Sequence, residues 1–329
     1  MTAKIVMYVG TAGTAVWMSE DLGATWVRPR SHSGLYIESG AWALSEHPAK
    51  PGQVLAGTDA GLYEWHHADA RWTHLPSAMD ATKSIWAIAR QASNPEIMLA
   101  GTRPGKVFKT EDGARTWREL PAGIAPSSDF TGFETRVTKL LIDPDDPNTF
   151  WAAVEVDGIK ISRDAGASWT TVDTGLEHPD IHDFTILHDE TGARSLIYTS
   201  AFGTYVSTDE GQTWEQRILD SPWQYARAIV ERTDRKAVFL TNGDGPPGST
   251  GTLWRSRDHC RTWEKVAMPA QFNSTPWLIA TNPGDPMLLL LATNLGQVFI
   301  SQDGGENWRK LEREFGEIRS LLWAPVPGG

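Results

Sequence analysis

The chain has a single cysteine and no excess of basic residues. Cys260 is the only cysteine in 329 residues, so no disulfide can form within the chain. Lysine and arginine number 30 against 41 aspartates and glutamates, which gives a formal net charge of −11. Nucleic-acid binding relies on cationic side chains that displace counterions from phosphates, so we expect no nucleic-acid partner.

Long apolar runs are also missing. No stretch is long enough to cross a bilayer, which argues against membrane insertion. The first ten residues lack the apolar core and the cleavage site of a signal peptide and instead predict a first strand. We therefore expect a cytoplasmic location.

An eight-residue pattern, Ser-x-Asp-x-Gly-x-Thr/Ser-Trp, returns along the whole chain. Complete copies span 19–26, 162–169 and 207–214, altered copies span 110–117, 256–263 and 301–308, and Asp69 and Trp72 remain of a seventh. The tryptophans of successive copies are 46, 45, 52, 45, 49 and 45 residues apart. A period of about 40–50 residues is typical of a propeller or a solenoid.

This pattern resembles the Asp-box, or BNR, repeat, and the resemblance covers the whole chain. It implies a hairpin turn between the third and fourth strands of each propeller blade. The physical chemistry agrees, because the aspartate can accept hydrogen bonds from its own turn and the glycine allows a positive φ. The tryptophan then begins the last strand and packs between sheets. We interpret the motif serines and aspartates as structural rather than catalytic.

The repeat predicts an all-β fold, a single seven-bladed β-propeller of four-stranded antiparallel blades. Each repeat contains four short strands separated by turns rich in Gly, Pro, Asn and Asp. The chain begins in a second strand, and residues 317–325 have the pattern of a first strand. We therefore expect the C-terminal strand to complete the first blade and close the ring. The predicted blades are about 1–37 with 316–329, 38–82, 83–133, 134–180, 181–223, 224–273 and 274–315.

The candidate site lies where the innermost strands begin, because Asp-box turns lie on the face opposite the usual ligand face in propellers of this kind. Aligning those strands gives two sets of equivalent positions near the channel. The first set is Trp42, Trp86, Thr138, Phe184, Arg227, Trp277 and Arg319, and the second, two residues earlier, is Gly40, Ser84, Arg136, His182, Tyr225, Thr275 and Glu317.

Two interpretations of these positions stay open. The aromatic side chains either form stacking walls for a sugar or another flat ligand, or they pack between blades. The polar side chains need partners or a ligand, since unpaired buried charge is costly. The predicted ligand-binding residues are Arg136, Arg227, Arg319, Trp42, Trp86 and Trp277, with Phe130 and Trp223 from loops. The catalytic candidates are Tyr225, Glu317, His182 and Glu134, the last in a long loop near 127–134.

A metal site is a weaker hypothesis. His178, Asp180, His182 and Asp183 have suitable chemistry, but alternation along a strand would aim them at different faces. We expect no metal and no cofactor.

Sialidases also carry Asp boxes, and they use an arginine triad, a Tyr nucleophile with a Glu partner, and an Asp acid/base on six blades. Arg136, Arg227, Arg319, Tyr225 and Glu317 match that set in composition only, so we do not expect sialidase activity. In size and single-ring layout the chain is similar to photosystem II assembly and stability factors and to glycosyl-hydrolase-like BNR proteins. Two hypotheses follow. One is a binding or assembly protein that holds a small molecule, glycan, peptide or protein partner at the channel mouth, and the other is a hydrolase acting on a sugar-like or other polar molecule there.

Overall fold

The computed structural model describes residues 4–128, 131–172, 175–176 and 178–326. Within these ranges the regular structure is almost entirely β, with two short 3-10 turns at Ser31–Ser33 and Ala78–Ala81. The strands form seven antiparallel sheets, one for each repeat. This confirms the all-β, seven-bladed propeller. No helix in the described part of the chain has the length and apolarity to cross a membrane.

Blades one to four follow the chain. The first contains β1 (Lys4–Thr11) and β2 (Val16–Ser19). The second contains β3 (Ala41–Glu46), β4 (Gln53–Thr58), β5 (Gly61–His66) and β6 (Arg71–Leu75). The third contains β7 (Ser84–Arg90), β8 (Met98–Arg103), β9 (Val107–Thr110) and β10 (Arg118–Leu120). The fourth contains β11 (Arg136–Ile142), β12 (Phe150–Glu155), β13 (Gly158–Ser162) and β14 (Thr170–Val172).

The remaining blades repeat this order. The fifth contains β15 (Ile181–His188), β16 (Arg194–Ser200), β17 (Gly203–Ser207) and β18 (Glu215–Arg217). The sixth contains β19 (Tyr225–Glu231), β20 (Val238–Gly243), β21 (Gly251–Ser256) and β22 (Glu264–Lys265). The seventh contains β23 (Pro276–Ala280), β24 (Leu289–Thr293), β25 (Val298–Ser301) and β26 (Arg309–Lys310), and β27 (Ile318–Val326) ends the chain.

The last strand completes the first blade, as predicted. β27 pairs antiparallel with β1 from Lys4↔Val326 to Thr11↔Ile318, giving the sheet order β2-β1-β27. This blade has three strands instead of the expected four, and a single bridge joins Met18 to Val27 where a fourth would begin. Pro29 follows two residues later and lacks the N–H that would extend the ladder.

The Asp-box turn closes through side chains. In the fourth blade, Asp164 accepts hydrogen bonds from the N–H and hydroxyl of Ser168 at 2.8 and 2.6 Å. Ser162 donates to Asp164 at 2.8 Å and accepts from the Gly166 N–H at 2.9 Å. The Trp169 indole donates to the Gly166 carbonyl at 3.2 Å. These bonds satisfy the turn internally, which confirms the structural role of the motif.

Two copies of the motif place an ordinary residue at the left-handed glycine position. Ala114 and Cys260 have φ of 72° and 66°, compared with 91° for Gly166. Both side chains are buried, at 3% and 1% exposure. The packing they gain offsets the cost of a left-handed conformation for a residue with a Cβ.

The chain forms two compact units. The central unit contains residues 12–16 and 28–181 and thus blades two to four. The terminal unit contains residues 4–11, 17–27 and 182–326. In each, apolar side chains from neighbouring blades interlock: Leu99 and Val107 pack with Leu140 in the central unit, and Met7 and Val9 pack with Leu290 in the terminal unit.

The aspartates of the Asp-box turns make the stability of the fold depend on pH in the acidic range. Hydrogen bonds from the turn threonine or serine hold their pKa at about 2, below the ordinary 3.8, in Asp21, Asp112, Asp164 and Asp209. A lowered folded-state pKa adds stability that is complete above the unfolded-state value and is lost as the pH falls toward 2.

We expect the melting temperature to fall between about pH 4 and pH 2, and to fall less steeply in Asp209→Asn. Asp69→Asn, in the shortened copy, is the matched control, and an equal slope in all three proteins would contradict the prediction.

Removal of residues 316–329 should expose the free edge of β1. An unpaired strand edge is a template for association. We expect the truncated protein to elute as aggregates in size-exclusion chromatography. A monomeric product with the melting curve of the full chain would show that β27 is dispensable.

Candidate ligand-binding site

Six of the innermost strands have a β-bulge at the position that the sequence alignment singled out. In blades two, three, four and seven, the register skips one residue, so that Ala41 and Ala43, for example, face Thr58 and Gly57. In β27 the skipped residue lies between Ile318 and Ser320, and in β19 two residues face Thr241. The residues at the bulges are Trp42, Trp86, Thr138, Arg227, Trp277 and Arg319. A bulge re-aims a side chain, and bulges are frequent next to functional sites.

Threonine side chains satisfy the backbone groups that the bulges release. Thr199 donates to the carbonyl of Arg227 at 2.6 Å, and Thr241 accepts from the Ala228 N–H at 2.9 Å. The single hydroxyl hydrogen of Thr138 is shared between the carbonyls of Ala153, at 3.2 Å, and Ile181, at 2.9 Å. The irregular backbone is therefore held in place on a rigid sheet.

The terminal unit brings five predicted site residues into one cluster, the terminal stack. The guanidinium carbons of Arg227 and Arg319 lie 4.0 and 4.9 Å from the ring centre of Trp277. Arg227 donates to the Tyr225 hydroxyl at 3.2 Å, and the Tyr225 ring lies 4.9 Å from that of His182. The Nδ1 of His182 lies 2.6 Å from the Ala226 carbonyl, so Nδ1 carries the proton and donates.

The two arginines of this stack differ in their partners. Arg319 forms an ion pair with Glu317, which lies two residues away on the same chain segment. Arg227 is only 9% exposed, and its contacts are the Tyr225 hydroxyl and two aromatic rings. Among the described residues, no carboxylate pairs with it. A buried guanidinium without an acid is costly unless something else supplies the negative charge.

The central unit holds a second cluster, the central stack. Trp42 and Trp86 are stacked with ring centres 4.7 Å apart, and the guanidinium of Arg136 lies 4.3 Å from the Trp86 ring centre. Arg136 is ion-paired with Glu155, and both side chains are less than a fifth exposed. Glu155 belongs to the second strand of its blade and therefore lies outside the aligned positions of the first strands.

Guanidinium groups lie over two of the indoles that one interpretation of the sequence expected to form stacking walls. Two guanidinium groups cover Trp277, and Trp42 and Arg136 cover Trp86. A sugar ring needs an unoccupied aromatic face. These two rings instead orient cationic groups, a role in which a cation over an indole gains about 0.5–2 kcal/mol.

The candidates from loops, Glu134 and Trp223, have contacts of their own. Glu134 pairs with Lys83 at 2.5 Å and Arg103 at 3.3 Å, and the hydrogen bond from Lys83 lowers the pKa of this carboxyl. A lowered pKa disfavours a role as general acid. Trp223 is half-buried, and its carbonyl accepts from the Asn242 amide at 2.7 Å. Phe130 lies outside the described residues.

The metal candidates have structural contacts. Asp183 accepts from the N–H groups of Phe184 and Ile229 at 2.9 and 3.1 Å. The Nδ1 of His178 accepts from the Asp180 N–H at 3.2 Å. These bonds fix the chain at the start of the fifth blade. The expectation that no metal binds stays a prediction.

Sequence comparisons relate the chain to larger proteins. The family profile described as sortilin, neurotensin receptor 3, matches residues 205–324. A xyloglucanase of Hypocrea jecorina is 25% identical over 272 residues, covering 78% of this chain and 28% of that protein. An oligoxyloglucan-reducing end-specific xyloglucanase of Emericella nidulans is 21% identical over 322 residues. The match covers 81% of this chain and 40% of that protein. The chain therefore spans well under half of the curated relatives it matches.

Solved structures resemble the chain over most of its length. The GH74 enzyme of Niastella koreensis has a TM-score of 0.64 at 18% identity, with 94% of this chain and 47% of that one covered. YCF48 of Cyanidioschyzon merolae has a TM-score of 0.60 at 13% identity, with 88% and 96% covered, and YCF48 bound to D1 peptide scores 0.58 at the same identity, with 98% and 96% covered. These likenesses show the fold alone.

Arg136 and Arg227 both lie near the start of an innermost strand, but replacing them should change the free energy of unfolding by different amounts. Arg136→Gln leaves the largely buried Glu155 carboxylate without the guanidinium that pairs with it, and we expect a loss of about 2 kcal/mol in the free energy of unfolding. Arg227→Gln removes a guanidinium that has no acid and that shares an indole with Arg319, so we expect a loss below about 1 kcal/mol. Urea unfolding measures both, and equal losses would contradict the distinction.

Proposed function

We propose that this chain is a binding propeller whose ligand lies against the terminal stack, where the innermost strands begin. The observation that carries the proposal is the bulge that places Arg227, Trp277 and Arg319 at one level of neighbouring blades. The side chains there hold one another through ring and guanidinium contacts, so a ligand meets a preorganised surface.

The chemistry of the stack favours binding over hydrolysis. Glycoside hydrolysis ordinarily needs two carboxyl groups on either side of the scissile bond. Of the two acidic candidates, Glu317 lies two residues from Arg319 and is paired with it. Glu134, the other acidic candidate, belongs to the central unit and is paired with Lys83 and Arg103.

A hydrolase remains the second candidate function, because two curated relatives are named xyloglucanases. Tyr225, His182 and Glu317 would then supply the nucleophile, the base and the acid. The relatives are much longer than this chain, so their activity supports only the general class. A solved relative with bound D1 peptide favours the binding alternative equally.

Binding should depend on Trp277. The probes are D1 peptide and xyloglucan oligosaccharides, titrated separately by isothermal calorimetry. We expect one of them to bind, and Trp277→Leu to weaken that binding about tenfold or more because the two guanidinium groups lose their support. Trp17→Leu is the matched control, since Arg313 lies 3.9 Å from the centre of the Trp17 ring outside the stack.

Reducing-end release from xyloglucan separates the two functions. We expect no release above the buffer rate. Release that disappears in Glu317→Gln would overturn the binding proposal in favour of the hydrolase. Equal loss of binding in Trp277→Leu and Trp17→Leu would show that the ligand lies elsewhere.

A further inference from the structure

The fourth strand of the sixth blade ends early and leaves the start of the third strand without a neighbour on its outer side. After β22, the Val266 N–H makes the last hydrogen bond, to the Leu253 carbonyl at 2.9 Å. Every second residue of a strand directs its N–H and carbonyl to the same side. Gly251, two residues before Leu253, therefore directs both groups to this outer edge. Neither has a hydrogen-bond partner there among the described residues.

A cavity of about 460 Å³ borders this open edge. It is lined by residues 250–253 and by the segment that follows the fourth strand, at 265–268 and 270–272. Its lining includes Leu253, Val266 and Phe272, which are less than a tenth exposed. The volume is within the range of about 300–1,000 Å³ that is usual for ligand sites. We call this cavity and the strand edge beside it the edge groove.

The seventh blade has the same edge, and there the chain itself fills it. The fourth strand of this blade also ends on a hydrogen bond, from the Leu311 N–H to the Val298 carbonyl at 2.9 Å. Two residues before Val298 comes Gly296, the counterpart of Gly251. The Gly296 carbonyl accepts a hydrogen bond from the Phe315 N–H at 2.9 Å. The sixth blade lacks this additional bond.

The difference between the two blades has a cause in chain length. The segment that leaves the fourth strand spans 311–318 in the seventh blade and 266–276 in the sixth, where it is three residues longer. The longer segment packs Phe272 against Phe299, with ring centres 5.2 Å apart, and does not return to the strand edge. The edge groove is the space that it leaves beside β21.

The charges in the two blades indicate what the edge groove accepts. Lys265 lines the groove, is exposed and forms no ion pair with the described residues. Its counterpart Lys310, which directly precedes the last hydrogen-bonded residue of its blade, pairs with Glu314. Glu314 is the residue before Phe315. In the filled edge, an acidic side chain therefore contacts the lysine, and the next residue donates its N–H to the glycine carbonyl.

We propose that the edge groove binds an extended peptide in which an acidic residue precedes an apolar one. The apolar residue pairs with Gly251 and exchanges both backbone hydrogen bonds with it, as in an antiparallel sheet. Successive residues of a strand face opposite sides. The apolar side chain therefore lies on the side of Val266, and the acidic side chain lies on the side of Lys265. This groove is separate from the terminal stack, and the inference does not depend on the proposed function.

Four peptides test the proposal in ¹H–¹⁵N spectra of the labelled protein. The first is acetyl-Thr-Thr-Glu-Phe-Thr-Thr-amide, in which threonine favours an extended chain. The second has Gln in place of Glu. The third is N-methylated at Phe, which removes the N–H that pairs with Gly251, and the fourth is N-methylated at Glu, whose N–H points away from β21.

We expect the first peptide to shift the backbone amide signals of Gly251 and Leu253 in a saturable manner. The Gln peptide should bind about two- to fivefold more weakly, the usual effect of an exposed ion pair. Methylation at Phe should weaken binding at least about fivefold through the lost hydrogen bond, whereas methylation at Glu should leave the affinity unchanged.

Two lysine variants locate the acidic contact. Lys265→Gln should weaken the Glu peptide about two- to fivefold and remove its advantage over the Gln peptide. Lys310→Gln is the matched control, because Lys310 has the same place in the seventh blade but its edge already carries Glu314 and Phe315. This control should leave both affinities unchanged.

Each contrary result overturns a defined part of the proposal. Equal affinity for the two N-methylated peptides overturns strand pairing at Gly251. A preference for Glu over Gln that is absent, or that persists in Lys265→Gln, overturns the contact with the acidic residue. Unmoved signals of Gly251 and Leu253 at millimolar peptide overturn the edge groove itself. Shifts confined to Tyr225 and Trp277 do the same and support the terminal stack instead.

Discussion

The pairing of β27 with β1 is the constraint on which the rest of the molecule depends. It joins the two ends of the chain in one sheet, and it places Arg319 on an innermost strand beside the blade that carries Trp277. Without this pairing the first blade would keep an open strand edge, and the terminal stack would lose one of its two guanidinium groups. The fold and the candidate site therefore share one structural requirement.

The central and terminal stacks each contain an arginine that lies against a tryptophan, but the two arginines have different polar partners. Arg136 and Arg227 both lie against a tryptophan of an innermost strand. Arg136 has Glu155 as its acid, so its charge is balanced within the central unit. Arg227 instead donates to a neutral phenol, the Tyr225 hydroxyl. The difference between the two arginines lies in the polar group that each one contacts, a carboxylate for Arg136 and a phenol for Arg227.

Much of the fold could be predicted because each copy of the repeat corresponds to one blade. The spacing of Trp26 to Trp308 fixed the number of blades, and residues 317–325 identified the closing strand. The alignment of first strands also found the positions that the structure places at the bulges. It did not reveal the bulges themselves, because an extra residue in a strand depends on the register with its partner and not on its own sequence.

Side-chain contacts between neighbouring strands could not be predicted from the sequence either. Glu155 belongs to a second strand, and nothing in its local pattern distinguishes it from neighbouring residues. The covering of Trp86 and Trp277 by guanidinium groups likewise depends on how neighbouring blades approach. In the first blade, Pro29 was a local signal for the missing fourth strand, and attention to its absent N–H would have found it.

The most direct test of the central claim is hydrogen–deuterium exchange of the backbone amides with and without D1 peptide and, separately, with and without xyloglucan oligosaccharides. Ligand at the terminal stack should slow exchange at residues 223–227, 274–277, 293–296 and 317–319, and leave the Asp-box turns at 207–214, 256–263 and 301–308 unchanged. Protection confined to the Asp-box turns would contradict the account, because it would place the ligand at the opposite ends of the strands.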